Sequence, residues 1–383
     1  MNRVRAAVTD PSETPYPARS FGQGLQLEFH GNSETDVGYV KDEPGPNLDL
    51  EKSNDFRGRF VLGADLDYGF GQNFFFHGRG QLVDWIREPT GGPNGGLQYL
   101  VNADDVFVQV GQRKIWDFLI GRFMTWKIYR KGLGFDIYTL EDTGALDLQH
   151  RSNDVTASPF FPHVYGVDDI WLRGTQGRAG FHVYPTPWSG LEFVGEYGRV
   201  STINSLGGRG AGRVDVGPVS ATAGFELKHV KPAIDNPGCD QCGINNFTGY
   251  GGGLVLDLNW LEVGGNIGIR NSTIYGQTMP SIDKSSSGKT TSVGGYLELD
   301  PGLLAMNRSL IVGVGVNQTQ VDIEAGDKKK HVQEAAYIAF PLGFNDAMIK
   351  FVLSRADGTG DPRAADEYKT NMIAGRFRVS FTY

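Results

Sequence analysis

Few residues in this 383-residue chain have the types and spacing of reactive chemistry. Cys239-Asp-Gln-Cys242 holds the only two cysteines. A zinc site would need a second pair of ligands, and a redox site would need a βαβ setting; neither accompanies the pair. A local disulfide in an oxidising compartment is the third reading. His150-Arg-Ser152 sets a base two residues from a hydroxyl, within a long polar stretch. Nucleophilic catalysis needs the two apposed in space, which spacing alone does not establish. Asp104-Asp105 and Asp168-Asp169, with Asp357 and Asp361, offer the hard oxygens that Ca²⁺ takes, but match no calcium loop. Solvated rim charge is the plainer reading. No Gly-rich phosphate loop opens a helix. The expectation is no enzyme, no resident metal and no cofactor.

The elements that position these residues are strands. Leu254, Leu256, Leu258 and Trp260 alternate with Val255, Asp257 and Asn259. Leu261, Val263, Ile267 and Ile269 alternate with Glu262, Gly264, Asn266, Gly268 and Arg270. Ile373, Gly375, Phe377, Val379, Phe381 and Tyr383 alternate with Arg376, Arg378, Ser380 and Thr382. Period-2 alternation gives each strand one apolar face and one polar or small face. No capped amphipathic helix of twelve residues stands out, and Gln333–Phe340 is ambiguous.

Composition narrows the class. Glycine, at 54 residues, is about twice its usual share of roughly 7%. Aromatics at 11% argue against disorder. A net charge of −8 disfavours nucleic acid, which selects a basic surface. No apolar run reaches the length of a membrane helix. The polar stretch Met1–Ser20 lacks an apolar signal region, as expected of a cytoplasmic protein or of a mature chain.

Connections fall into two kinds that alternate along the chain. Tight turns are expected near Phe70–Asn73, Gln112–Lys114, Pro185–Gly190, Gly217–Pro218, Asn259–Leu261, Pro301–Asn307 and Leu342–Asn345. Longer polar stretches cover Gly31–Asn54, Glu88–Val101, Lys127–Val167, Ser201–Gly210, Lys231–Asn246, Gly276–Thr290, Glu324–Lys329 and Gly358–Tyr368. This pattern predicts an all-β fold: one antiparallel transmembrane β-barrel of about sixteen strands, with short periplasmic turns and long extracellular loops. Residues 1–19 form a polar tail and 20–383 the barrel, with 127–167 as its long loop. A soluble sandwich or solenoid is the rival, but no fixed repeat length supports it. Tyr68, Phe70, Phe74, Trp116, Tyr184, Trp188, Trp260, Phe340, Phe344 and Tyr383 fall near tight-turn ends, and Trp85, Trp126, Trp171 and Tyr197 near long-loop ends, as two lipid–water interfaces would select.

At this point the chain resembles the Gram-negative porins. The likeness rests on sixteen alternating strands, the terminal aromatic strand Arg376-Phe-Arg-Val-Ser-Phe-Thr-Tyr383, a longest loop after the fifth strand, and inward arginines on early strands. The Pro-Glu-Phe-Gly string of many porin constriction loops is absent; Gly132-Leu-Gly-Phe-Asp136 is the nearest. The resemblance implies a passive channel for ions and small polar or anionic solutes. It also implies the bacterial outer membrane as location, lipid and lipopolysaccharide around the barrel, delivery by the barrel-assembly machinery through the last strand, and a homotrimer. The His-x-Ser spacing is also found in outer-membrane phospholipases, where the pair lies on a lipid-facing strand; here it lies in the loop. Rival functions are a gated barrel of a secretion or polysaccharide export system, and a lipid hydrolase dependent on Ser152.

Alternation then assigns the pore lining. Arg57, Arg59, Arg79, Arg122, Lys350, Arg376 and Arg378 are expected to form one basic wall. Glu192, Glu196, Glu226, Asp257 and Glu262 are expected across the lumen, with Asp65 and Asp67 nearer the periplasm. Opposed walls would set up a transverse field and ion selectivity; the alternative is charge that only solvates a watery lumen. The long loop carries Lys127, Arg130, Lys131, Asp136, Glu141, Asp142, Asp147 and Arg151. A structureless connection of this length is usually functional. It either folds inward as a constriction or stays outside as a lid or docking loop.

Overall fold

The computed structural model describes residues 24–44, 51–71, 73–87, 98–123, 125–126, 128, 177–200, 203–232, 244–278, 281–300, 310–323, 328–342, 347–359 and 369–382. Sixteen strands follow one another: β1 Gly24–Pro44, β2 Glu51–Phe70, β3 Phe74–Arg87, β4 Gln98–Gln112, β5 Trp116–Arg122, β6 Gly177–Thr186, β7 Ser189–Val200, β8 Ile203–Val216, β9 Val219–Pro232, β10 Ile244–Asp257, β11 Leu261–Thr278, β12 Ser281–Leu299, β13 Ile311–Ile323, β14 Lys328–Pro341, β15 Met348–Thr359 and β16 Lys369–Thr382. Each pairs antiparallel with its neighbours in sequence, and β1 pairs with β16 to close the barrel. Closure leaves no strand edge, the condition for a sheet in hydrocarbon. The ambiguous segment 333–340 is strand, within β14.

The alternation read from sequence is the alternation seen. On β10, Leu254 is 62% exposed on the outer face while Val255 beside it is 7% exposed on the inner. Phe351, Leu353, Phe377 and Val293 also stand on the outer face, and Lys350, Val352, Arg376 and Ser292 on the inner. Tyr68, Phe70 and Phe74 stack in series along the turn end, with centroids 6.0 and 5.8 Å apart. Two expected belt residues belong inside instead: Tyr184 and Trp126 are buried on the lumen side, where Asp117 accepts the Tyr184 hydroxyl and Glu192 the Trp126 backbone N–H.

The turns near Phe70–Asn73, Gln112–Lys114, Pro185–Gly190, Gly217–Pro218 and Asn259–Leu261 fall between strands as expected; Pro301–Asn307 and most of Leu342–Asn345 lie outside the described residues. Gly217 takes φ 57° at the first position of the Gly217-Pro218 hairpin, where glycine is unstrained. The other ends differ. Only residues 201–202 separate β7 from β8, and only 279–280 separate β11 from β12. The stretches Ser201–Gly210 and Gly276–Thr290 are therefore largely strand, as is most of Gly31–Asn54. The hydrocarbon needs about ten residues per strand, whereas β1, β2, β11 and β12 run to 21, 20, 18 and 19. Strand that projects past the lipid can be polar on both faces, so alternation fades and sequence reads it as loop.

β5 is the exception, with seven residues. The chain peels off the sheet at Gly121, which has φ 139° and backs onto β4 so closely that a Cβ would lie 2.3 Å from the Val106 carbonyl oxygen. Only glycine fits both constraints.

Candidate functional site: the lumen wall and the loop root

After Gly121 the chain turns into the barrel and crosses the inner wall. Phe123 packs against Leu119 and Val194. Gly180 makes room for its ring, because a Cβ there would lie 2.9 Å from Phe123 Cζ. From here successive strands take hold of successive backbone groups. Arg178 on β6 donates from Nη1 to the Phe123 carbonyl at 2.7 Å. Glu192 on β7 accepts the Trp126 amide N–H at 2.9 Å. Arg209 on β8 donates to the Thr125 hydroxyl at 2.9 Å and to the Trp126 carbonyl. Thr222 on β9 donates to the Ile128 carbonyl at 2.7 Å. Ile128 lies over Gly224, where a Cβ would come within 2.4 Å of its Cδ1. The root of the long connection thus travels sideways across four strands, inside the barrel.

The side chains that grip it also hold one another. His182 sets Nδ1 2.8 Å from Asp117 Oδ1 and Nε2 3.2 Å from Glu192 Oε2. Both nitrogens face acceptors, and only the imidazolium donates from both. Tyr184 donates to the other Asp117 oxygen at 2.6 Å. Arg209 Nε lies 3.3 Å from Glu192 and Nη1 lies 3.6 Å from Glu226. Arg178 and Lys228 lie 3.3 and 3.1 Å from Glu196. Four carboxylates therefore face three fixed cations and one histidine. Charges so buried are costly unless paired and hydrogen-bonded.

This network revises the expected acidic wall. Glu192, Glu196 and Glu226 do face inward and are buried, but they are engaged by Arg178, Arg209, Lys228 and His182. Asp257 caps a turn, accepting the Asn259 N–H at 2.8 Å. Glu262 accepts the Tyr296 hydroxyl at 2.6 Å. The inward cations Arg178, Arg209 and Arg213 were not expected, whereas Arg270 lies on the face read for Glu262. On β8 the reason is the string Gly207-Gly-Arg-Gly-Ala-Gly-Arg213, where glycine and alanine carry no hydropathic preference and hide the alternation. Arginine at every fourth position there was the available signal.

Lys350, Arg376 and Arg378 lie on the inner face, buried, with Lys350 and Arg378 directly paired in register. Arg79 also faces inward, where it meets both oxygens of Asp65 at 2.8 and 3.2 Å. His30 lies 3.2 Å from the same carboxylate, and His77 lies 2.6 Å from Asp67. Arg122 is a correction: it pairs with Val106, an outer-face residue, and follows Phe118 and Ile120 on the outward parity of β5. Alternation carried through Gly121 places it with Phe118 and Ile120, so its charge, not its parity, pointed to the lumen. The backbones of Arg57 and Arg59 pair with Asp36 and Glu34; their side chains lie outside the described residues.

Among the remaining candidates, Asp105 is on the inner wall and buried. The side chain of Asp104 lies outside the described residues, as do Asp168, Asp169, Asp361, Cys239, Cys242, His150 and Ser152. So do the expected loop residues Lys127, Arg130, Lys131, Asp136, Glu141, Asp142, Asp147 and Arg151, and the 1–19 tail. Among the described residues no group of three or more His, Cys, Asp or Glu could hold a metal ion.

No protein-family model matches the chain, and a search of curated proteins finds no relative. Solved structures do match, over nearly the whole chain. OmpT, an outer membrane protein of Vibrio cholerae, aligns at 10% identity over 94% of this chain and 98% of its own, with a TM-score of 0.60. An anion-selective porin from Comamonas acidovorans aligns at 15% identity over 93% and 100%, with 0.56. The outer membrane channel DcaP of Acinetobacter baumannii aligns at 12% over 95% and 100%, with 0.55. At such identities the likeness is one of fold alone, a closed antiparallel barrel.

Proposed function

We propose that this chain is an outer-membrane channel through which ions and small hydrophilic solutes diffuse, narrowed by the connection between β5 and β6. The observation that carries the reading is the path of residues 123–128. An external lid would leave the strand end toward solvent, whereas this root enters the barrel and is bonded to its inner wall from β6 to β9. The outer belt of Leu, Val, Phe and Tyr suits lipid, and the charged inner face suits water and solute. The channel needs no cofactor and performs no catalysis on this reading. The matched outer-membrane proteins support the location, and a homotrimer is the expected assembly.

The test is single-channel recording of the refolded chain in a planar bilayer. Steady conductance steps, grouped in threes for a trimer, are expected. A folded, inserted barrel that stays silent overturns the open-channel reading in favour of a gated export barrel. Ester hydrolysis by the same preparation, lost in Ser152→Ala, would make it an enzyme.

A further inference from the structure

We infer that Glu192 and Arg209 are positioning residues that set the bore of the channel, by latching the root of the β5–β6 connection through its backbone. The inference rests on the channel reading above and deepens it. Trp126 is held at both of its backbone groups: Glu192 takes the N–H at 2.9 Å and Arg209 serves the carbonyl. The two side chains also meet each other, 3.3 Å apart. Peptide, carboxylate and guanidinium therefore close a ring. A grip on the backbone reads where the chain is, whatever side chains the loop carries.

The latch is braced from both sides. His182 and Asp117 support Glu192, and Glu226 supports Arg209. Glu192 and Arg209 are almost wholly withdrawn from solvent, at 0 and 3% exposure. In that setting charge-assisted bonds are at their strongest, and removing one partner strands the other. Loss of either residue should release the root while leaving the strand ladders paired. The root itself stands inside the barrel, so its release alters the path through the lumen.

The experiment is single-channel recording of the full chain, with folding checked by the heat-dependent mobility of the barrel. For Glu192→Ala and Arg209→Ala we expect a rise in conductance of at least about 1.5-fold and broader open-channel noise, as a freed constriction widens the path. Glu192→Gln keeps an oxygen for the Trp126 N–H and should change both readouts less. Gly180→Ala displaces Phe123 at the other end of the root without touching a charge, and should raise noise in the same direction. If the alanine variants fail to fold, Glu192→Gln and Gly180→Ala carry the test. Folded variants that conduct as quietly and as narrowly as the parent overturn the latch and leave the channel reading intact. A silent parent overturns the channel reading, and the latch with it.

Discussion

The indole of Trp126 lies flat on the imidazole of His182, with ring centroids 4.5 Å apart and planes 9° from parallel. The indole belongs to the loop root and the imidazole to the wall. The stack therefore joins two parts of the chain that are 56 residues apart in number. Trp126→Ala should loosen the root by about 1 kcal/mol beyond the lost contact area, the usual worth of an aromatic pair. Limited proteolysis of the folded barrel should then cut the β5–β6 connection faster, while Trp126→Phe restores the parent rate. Equal cleavage in all three proteins would remove the stack from the account.

Selectivity offers a second check. Glu192, Glu196 and Glu226 are engaged in ion pairs around the root, so each should influence permeating ions less than its charge suggests. Lys350 and Arg378 stand side by side on the facing wall. Lys350→Glu and Arg378→Glu should each shift the reversal potential in a salt gradient toward cations. The shift should shrink as salt rises, since the Debye length falls from about 10 Å at 0.1 M to about 3 Å at 1 M. A shift of the opposite sign would place the selective charge elsewhere.

Sidedness of the wall can be tested by one substitution moved one residue along. Ile267 is 49% exposed on the outer face, and Asn266 beside it stands on the inner. Ile267→Arg should cost about 2–4 kcal/mol if the site is near the bilayer midplane. Asn266→Arg should cost much less. Denaturant unfolding in lipid vesicles separates the two, and equal losses would contradict the assigned faces.

Two tyrosines lie over bare glycines of the next strand. A Cβ at Gly313 would come 2.1 Å from the Tyr337 ring, and one at Gly264 would come 2.1 Å from that of Tyr296. Gly313→Ala and Gly264→Ala should each destabilise the barrel by about 1–3 kcal/mol through overpacking. Gly80, with nothing within 4 Å of its added Cβ, should accept alanine without loss. A lowered unfolding midpoint at Gly80→Ala equal to the others would deny the ring-over-glycine packing.

The strands around Leu254, Ile267 and Phe377 were legible because lipid and lumen select opposite residue types, and a strand presents them in strict alternation. The tight turns were legible for the same reason, as breaks in that rhythm marked by Gly217 or Asn259. The hairpins at 201–202 and 279–280 were not, since strand beyond the lipid has no apolar face to declare it. Arg178 and Arg209 were hidden among glycines, and Arg122 was assigned by its charge against the parity it shares with Phe118 and Ile120.

By itself the sequence determined that the chain is an all-β barrel, how many strands it has, and which face of most of them turns outward. These are local consequences of alternation and turn chemistry. Only the tertiary structure decided that Glu192 meets Trp126, 66 residues away, and that the carboxylates of β7 and β9 hold a loop instead of lining a wall. Pairing of charges across strands depends on register and on where Gly121 turns the chain inward. Those are properties of the closed sheet, and no single strand contains them.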